Sequence, residues 1–377
     1  MIALLIGILA GIITGIAPGI HINLVSSFVV LLPIAPLDLA SFILGMAVTH
    51  TFLDVIPSVY LAPDAELATL PAHKMLHLGR GHEAVKLVTA GSLLCLILAV
   101  VLTPVLIYVF PRLSVALAKS MGWLLLAFVS WIILREKSFW SVFVFLTAGV
   151  LGMIVLSTQM NQPLLPLLSG LFGISGLVMN LFEKVEIPPQ FITNELSPKL
   201  LVPTLSGTMA GALIALVPGL GPAQAAILIG QMPPPEMLVV AGGINTVNMV
   251  VSLVTMLTIG KARNGAMVAM LDVLKTMTIH HFLLFLSGSV LAGGIATLLA
   301  LVASRVFAKF IVRINYQLLS LSILVFITAL VGFLCGWFGL LILTVSTSIG
   351  IIPHLAKTNK HPGMGVILVP VILKLLT

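Results

Sequence analysis

Long apolar runs separated by short polar stretches dominate the chain. A run of about 20 apolar residues has the length of a membrane-spanning helix. The pattern therefore predicts an all-α polytopic membrane protein, located in the cell membrane. Predicted spanning helices lie at 38–62, 84–110, 113–134, 138–157, 163–182, 237–259, 279–303, 314–334 and 337–353, and a last apolar segment lies at 363–377.

One stretch of this pattern occurs twice. Residues 7–23 read GILAGIITGIAPGIHIN and residues 207–223 read GTMAGALIALVPGLGPA. Each begins a predicted helical hairpin, at 1–33 and 201–233, that a Pro-Gly pair breaks. Further matches follow at an offset of 197, such as Gly45 with Gly242. The sequence thus predicts two homologous halves, each with a broken hairpin and about five transmembrane helices.

The predicted domains are an N-terminal transmembrane repeat at 1–182, a polar connector at 183–200 and a C-terminal transmembrane repeat at 201–377. If each hairpin enters and leaves on one side of the membrane, each half crosses it an odd number of times. We therefore expect inverted repeats. If the broken element itself crosses the membrane, the repeats are parallel.

The composition agrees with a lipid environment. Hydrophobic residues make up 60% of the chain and charged residues 8%, whereas a soluble domain has about 25% charged residues. The N-terminus is apolar from Met1 without a basic region before it, so we interpret it as a retained segment, not a signal peptide. The net charge of +7 comes from basic residues in short loops, which indicates membrane orientation, with no nucleic-acid partner expected.

The broken hairpins are the first candidate site. Pro-Gly breaks within lipid are tolerated where they are buried in protein or line a cavity, and a duplicated pair of them marks a transporter binding site. Each following half-helix presents free amides and a positive dipole end, which together favour an anion. The alternative is a kink that only packs two helices. The candidate substrate-binding residues here are Pro18, Gly19, His21, Asn23, Ser26, Pro218, Gly219, Gly221 and Gln224. We expect the two tips to approach each other.

The second candidate site lies in the helices that follow the hairpins. Thr49, His50 and Asp54 lie near the middle of 38–62, and ionisable residues there usually serve pathways or relays. His50 and Asp54 share a face, so we predict a cation-coupling site for H⁺ or Na⁺; the alternative is a structural pair. The matching helix 237–259 carries neutral substrate-binding candidates, which could instead make only interhelical hydrogen bonds: Asn245, Thr246 and Asn248.

Other chemistry has less support. His73, His77 and His82 lie in the polar 63–82 loop and are expected on a solvated face, so no metal site is predicted. No Walker loop, HExxH, GxSxG or paired-aspartate motif occurs, and therefore we expect neither an enzyme nor a cofactor. An intramembrane enzyme that uses His50 and Asp54, or a non-transporting assembly subunit, remains as an alternative of another class.

Four blocks carry a family resemblance: GIAPGIHINLVSSFVVLLP, ALVPGLGPAQAAILIGQMP, PLLPLLSGLFGISGLV and HPGMGVILVPVIL. They resemble the large membrane subunit of the tripartite tricarboxylate transporters (TctA family), in its shorter archaeal-type branch. The resemblance implies a permease that takes up a small organic anion, a di- or tricarboxylate, by symport with a cation. It also implies a small membrane subunit and an extracytoplasmic binding protein as partners. A homodimer in the lipid membrane stays open.

Carried over by residue, the resemblance assigns Pro18, Gly19, Asn23, Pro218, Gly219 and Gly221 to the family signatures. His21 stands where a glycine is common in the family, which leaves the identity of the anion open. An alternative function is a flippase for a polyprenyl-phosphate lipid carrier, because families with similar duplicated hairpins handle such lipids. A lipid substrate predicts a groove open to the bilayer, whereas a soluble carboxylate predicts a sealed central pocket.

Overall fold

A computed structural model of the protein describes residues 1–17, 20–61, 69–182, 187–192, 199–217, 220–230, 232–262 and 264–376. Its regular structure is helical throughout these ranges. The first helices are α1 (Ile2–Ile16), α2 (Ile22–Val29), α3 (Pro36–Leu53), α4 (Val55–Tyr60), α5 (Thr69–His77) and α6 (Gly81–Val101). The first half continues with α7 (Thr103–Ala118), α8 (Met121–Glu136), α9 (Phe139–Leu156), α10 (Leu164–Leu168), the π-helical segment Ser169–Ile174 and α11 (Ser175–Phe182).

The second half repeats this order with fewer, longer helices. It comprises α12 (Leu201–Leu216), α13 (Pro222–Ile229), α14 (Pro234–Ile259), α15 (Gly265–Leu274) and α16 (Ile279–Phe310), a 3-10 turn Ile311–Arg313, α17 (Tyr316–Leu355), a 3-10 turn His361–Met364 and α18 (Gly365–Leu376). Gly336 interrupts α17 with a φ of 65°, a left-handed conformation that glycine adopts at little cost. The two predicted helices at 314–334 and 337–353 are therefore separated where expected.

The all-α polytopic architecture is confirmed. Among the described residues, seven helices are long and apolar enough to cross a membrane, or eight if α7 and α8 together count as one broken span. Whether the two halves are inverted stays a prediction.

Two boundaries in the first half differ from the prediction. The expected helices 84–110 and 113–134 are three helices, because α6 ends at Val101 and α7 begins at Thr103. Pro104 lies in the first turn of α7, where its missing N–H costs nothing, but it cannot continue the preceding helix. The next break, between α7 and α8, falls at 119–120.

Two short helices occupy segments that were expected to be polar loops. Helix α5 lies within 63–82 and α15 lies within 260–278. The offset of 197 maps residues 69–77 onto 266–274, so the two helices occupy equivalent positions in the two halves. They were missed because nine or ten residues are too few to form a spanning run.

The helices form two compact units, and each takes segments from both halves of the sequence. The first comprises Met1–Ala62, Leu67–Ala116 and Ile187–Val312, and the second comprises Pro63–Glu66, Leu117–Glu186 and Arg313–Thr377. Both broken hairpins, and hence most candidate residues, belong to the first unit.

In the first unit, the duplicated glycines are the positions at which helices approach closely. A Cβ at Gly7 of α1 would overlap the carbonyl oxygen of Phe42 in α3, and one at Gly11 would lie 2.7 Å from the Met46 oxygen. Gly211 of α12 plays the same part against α14, since its Cβ would lie 2.8 Å from the Ile244 oxygen. Small residues spaced four apart allow such backbone contact between membrane helices.

Within this unit, helices from one half of the sequence also pack against helices from the other half. Helix α6 packs on α14, where added Cβ atoms at Gly91 and Gly242 would overlap the carbonyl oxygens of Val239 and Val88. The Ser92 hydroxyl donates to the Gly242 carbonyl at 3.1 Å. Helix α16 packs on α3 in turn. Both α3 and α14 are consequently almost fully buried.

In the second unit, helices from the two halves of the sequence also pack against each other. Helix α18 packs on α9, with Gly152 against the Val366 carbonyl, and α17 packs on the π-helical segment and α11, with Gly350 against the Leu171 carbonyl. The π-helical segment lies within the predicted spanning helix 163–182 and interrupts its regular α-helical form. Added Cβ atoms at Gly152 and Gly350 would overlap neighbouring carbonyls, so only glycine allows the helices to cross this closely at these positions.

Candidate functional site

The first broken hairpin re-enters a helix at Ile22, with His21 as the N-terminal cap of α2. The Nδ1 atom of His21 accepts a hydrogen bond of 3.2 Å from the backbone N–H of Asn23. A side-chain acceptor at this position satisfies one of the free amides of the first turn. Both His21 and Asn23 are exposed, whereas Ile22 between them is buried. Pro18 and Gly19 lie outside the described residues.

The side chain of Asn23 reaches a second helix N-terminus. Its Oδ1 accepts a hydrogen bond of 3.1 Å from the backbone N–H of Ala266 at the start of α15. The same N–H also donates to Oδ1 of Asn264, the cap of α15, at 3.0 Å. Gly265 packs against Asn23, and a Cβ there would lie 2.7 Å from Asn23 Cγ. The positive ends of α2 and α15 therefore meet at Asn23.

His50 connects this junction to the middle of α3. Its ring lies edge-on to the His21 ring with a centroid separation of 5.8 Å, and its Nδ1 forms a hydrogen bond of 3.2 Å with Oγ1 of Thr14 in α1. Thr14 donates in turn to the Gly11 carbonyl at 3.3 Å. A line of polar groups thus runs from α15 through α2 and α3 to α1.

The other coupling candidates lie near this line. Asp54 is the half-buried C-terminal cap of α3, and its backbone N–H donates to the His50 carbonyl at 2.9 Å. Nδ1 of the His50 side chain pairs with Thr14, and the joint role of His50 and Asp54 stays a prediction. Thr49 is fully buried, and its hydroxyl has no hydrogen-bond partner among the described residues. The buried Ser26 hydroxyl in α2 is in the same state.

In the second hairpin, too, a side chain satisfies a free backbone amide at the start of the half-helix. Oε1 of Gln224 accepts a hydrogen bond of 3.0 Å from the backbone N–H of Gly221, the N-cap of α13. Gln224 is 3% exposed, so this tip is held by a buried amide rather than by an exposed imidazole. Pro218 and Gly219 lie outside the described residues. The expected approach of the two tips stays a prediction.

Helix α14 contributes neutral polar groups to the same unit. Asn245 and Asn248 are half-buried and three residues apart, so they lie on one face of the helix. Oδ1 of Asn248 is shielded from solvent without a hydrogen-bond partner in the described part of the chain. The Thr246 hydroxyl donates to the carbonyl of Gly242 in its own helix at 3.1 Å. Helix α14 contacts both α3 and α15.

One prediction about the outer histidines is wrong. His82 was expected on a solvated face, but it is 1% exposed and its Nδ1 forms a hydrogen bond of 2.9 Å with Oγ of Ser304. The Tyr60 hydroxyl lies 3.2 Å from the same oxygen. Because α6 begins at Gly81, His82 belongs to its first turn and packs against α16 instead of facing solvent. No spacing signal in the sequence joins His82 to Ser304.

His73 and His77 in α5 lie side by side with their Nε2 atoms 2.9 Å apart. Partial burial lowers the pKa of His73, and the neighbouring His77 adds to this effect. Across the described residues, no group of three or more His, Cys, Asp or Glu side chains could hold a metal ion.

The comparisons with known proteins identify the family. Residues 1–365 match the tripartite tricarboxylate transporter TctA family. The chain is also 28% identical over 393 residues to an uncharacterized protein of Methanocaldococcus jannaschii, an alignment that covers 99% of this chain and 98% of that protein. No solved structure matches the chain.

The match to the TctA family confirms the resemblance found in the sequence, and the archaeal relative of similar length agrees with a shorter branch. Members of this family are transporters, which agrees with the expectation of a non-enzymatic role, and the match lends no support to a polyprenyl-phosphate flippase. The chain therefore belongs to the tripartite tricarboxylate transporter TctA family, as a multi-pass membrane protein and a component of a secondary transporter.

Proposed function

We propose that the chain is the permease of a cation-coupled carrier for a small organic anion, a di- or tricarboxylate. The observation that supports this most directly is the meeting of the α2 and α15 N-termini at Asn23. Two helix N-termini aimed at one place create a positive potential without a lysine or arginine. A carboxylate is the kind of ligand that such a place favours.

The hydrogen bonds at the junction explain how an anion would enter it. The amide of Ala266 donates to the side-chain oxygens of Asn23 and Asn264. A carboxylate oxygen is an acceptor of the same kind but carries charge, and charge-assisted hydrogen bonds are roughly twice as strong as neutral ones. In this proposal, the substrate displaces the Asn23 oxygen from Ala266, so that entry of the anion leaves no amide unpaired.

The remaining candidates are assigned to the rest of the anion. They are Gly221 and Gln224 at the second tip and Asn245, Thr246 and Asn248 in α14, a helix that contacts α15. Oδ1 of Asn248, which has no hydrogen-bond partner in the described part of the chain, is an acceptor that a substrate hydroxyl or a cation would satisfy. In the proposal these groups contact the parts of the anion that lie farther from Asn23.

We propose that the coupling ion, H⁺ or Na⁺, binds at Thr49, His50 and Asp54 of α3. Carboxylate and hydroxyl oxygens bind Na⁺, while imidazole and carboxylate groups bind protons. The site needs no other cofactor. A small membrane subunit and an extracytoplasmic binding protein are proposed as partners, because the family is named for tripartite assemblies.

Uptake into proteoliposomes tests the proposal. The purified protein is reconstituted, and accumulation of labelled citrate, succinate and lactate is measured with an inward H⁺ gradient, an inward Na⁺ gradient, or neither. We expect accumulation of a di- or tricarboxylate with one of the gradients and little accumulation without it. Equal signals from liposomes that lack the protein, or accumulation that neither gradient changes, would contradict the proposal.

A further inference from the structure

We propose that His21 binds the proton that is coupled to carboxylate binding, by alternating between capping α2 and facing the anion as an imidazolium. The inference rests on the proposed function: for a coupled H⁺ it assigns the proton to His21, whose ring contacts His50 of the α3 coupling site, rather than to Thr49, His50 or Asp54. It begins with the hydrogen bond of 3.2 Å that Nδ1 of His21 accepts from the Asn23 N–H.

That hydrogen bond fixes the protonation state of the ring. Since Nδ1 accepts, it carries no proton, and the proton of the neutral imidazole resides on Nε2. An imidazolium has N–H groups at both positions and no acceptor. Protonated His21 therefore cannot cap Asn23, because the ring and the amide would both point donors at each other. Capping and proton binding at His21 are mutually exclusive.

Protonation thus changes the junction in two ways at once. It frees the amide of Asn23 at the N-terminus of α2, and it adds a positive charge beside this amide. Both changes favour a carboxylate. The side chains of His21 and Asn23 are exposed, so an anion can reach them. The protonated protein loses one neutral capping hydrogen bond, and a charge-assisted hydrogen bond, roughly twice as strong as a neutral one, offsets that loss.

Two buried hydroxyls give independent support for a polar ligand. The hydroxyls of Ser26 in α2 and Thr49 beside His50 are fully buried and lack hydrogen-bond partners among the described residues. Buried polar groups normally have a partner, so each of these hydroxyls is a position at which a polar ligand would supply one. The two hydroxyls belong to α2 and to the α3 turn that carries His50, which are the elements that flank the His21 ring.

Of the two neighbouring imidazoles, His21 and His50, His21 is the accessible one. On α3, His50 faces the His21 ring, while Asp38 lies at the N-terminus of that helix and Asp54 at its C-cap. On α15, Asp272 and Lys275 lie toward the far end from Gly265. His50 is 4% exposed and bonded to Thr14, whereas His21 is exposed. A second positive charge at His50 would repel the first, so the pair takes one proton.

The linkage has a measurable size. If the carboxylate prefers the protonated state, its dissociation constant rises by up to about tenfold per pH unit above the pKa of the site, and the anion in turn promotes proton uptake by the same factor. Calorimetry of citrate binding to the purified protein, in buffers with different ionisation enthalpies, counts the protons taken up per anion. For the wild type we expect about one.

The decisive variant is His21→Asn. Asparagine is among the best N-cap residues, so α2 keeps its cap, but asparagine cannot take up a proton. We expect His21→Asn to bind citrate with about zero protons taken up and with an affinity that no longer changes with pH. His77→Asn, which removes an exposed imidazole of α5, serves as the control and should match the wild type.

The outcomes separate this inference from the proposed function. Proton uptake of about one in His21→Asn, together with its loss in His50→Gln, would overturn the assignment to His21 while leaving the carrier intact. If the wild type binds neither citrate nor the other carboxylates at any pH, the proposed function itself fails. Thermal unfolding of each variant in the same detergent shows whether a missing signal reflects a misfolded protein.

Discussion

The side chain of Asn23 and the backbone of Ala266, which lie 243 residues apart in the chain, are joined by a hydrogen bond of 3.1 Å. This contact ties the broken hairpin of the first half to a short helix of the second half. A movement that separates the N-termini of α2 and α15 must break it. The hydrogen bond is therefore placed where substrate binding and conformational change would compete for the same amide.

The first prediction concerns the space beside Asn23. Gly265→Ala places a methyl group 2.7 Å from Asn23 Cγ, in the space that the carboxylate enters in this account when it displaces the Asn23 oxygen. We expect gradient-driven uptake to fall at least about tenfold, equivalent to about 1.4 kcal/mol, with membrane insertion unchanged. Asn264→Ala is the matched control, because it removes the α15 cap but leaves the Asn23 contact. An equal loss of uptake in both variants, or no loss in Gly265→Ala, would contradict the special importance that this account gives to the space beside Asn23.

The second prediction concerns the crossing of α6 and α14. A Cβ at Gly242 would overlap the carbonyl oxygen of Val88, so Gly242→Ala must push two buried helices apart. Overpacking of this kind typically costs about 1–3 kcal/mol. We expect a lower thermal unfolding midpoint in detergent. Gly294→Ala in α16 has nothing within 4 Å of the new methyl group and should leave the midpoint unchanged or raise it, and a similar loss there would refute the packing argument.

The third prediction concerns coupling. Asp54 is half-buried at the end of α3, and Asp54→Asn keeps its shape but removes its charge. We expect this variant to insert and fold but to lose accumulation driven by the cation gradient. Counterflow exchange of labelled for unlabelled substrate, which needs no gradient, shows whether binding survives. Accumulation at the wild-type rate would remove Asp54 from the coupling step.

Much of the architecture could be predicted because membrane helices leave a direct trace in the sequence. Apolar runs of sufficient length predicted the spanning helices. The duplicated glycines revealed the repeat, and in the structure they lie where helices meet, as Gly7 against Phe42 and Gly242 against Val88 show. The compact units could not be predicted, since each combines segments from both halves. Such long-range pairing leaves no local period.

The site was predictable only in part. The Pro-Gly breaks drew attention to His21 and Asn23, and the polar residues of α3 drew attention to His50. Helix α15 was missed, because ten residues between two long apolar runs resemble a loop, although Asn264 followed by Gly265 is a helix start signal. The contact of His50 with Thr14 was also missed, because a threonine in an apolar helix gives no sign of its partner. The functional roles of the candidate residues stay predictions.

The fourth prediction concerns the pH dependence of α5. Burial and the nearby His77 lower the pKa of His73 in the folded protein, whereas the pKa of a histidine in the unfolded chain is about 6.5. The unfolded state therefore binds more protons in this range, and stability falls as the pH drops below about 6.5. We expect amide exchange of residues 71–77, corrected for intrinsic rates, to be faster at about pH 5.5 than at about pH 7.5.

His73→Gln should remove this difference, because glutamine does not titrate. His280→Gln removes an exposed histidine elsewhere and should preserve it. Equal protection of α5 at both pH values in the wild type would contradict the account of His73.

The central claim is that the N-termini of α2 and α15 together bind a carboxylate. An experimental structure of the protein with a bound tricarboxylate tests it most directly. The account predicts carboxylate oxygens within about 3 Å of the backbone N–H groups of Asn23 and Ala266, with the Asn23 side chain displaced from Ala266. A substrate bound elsewhere, with the hydrogen bond between Asn23 and Ala266 still in place, would contradict it.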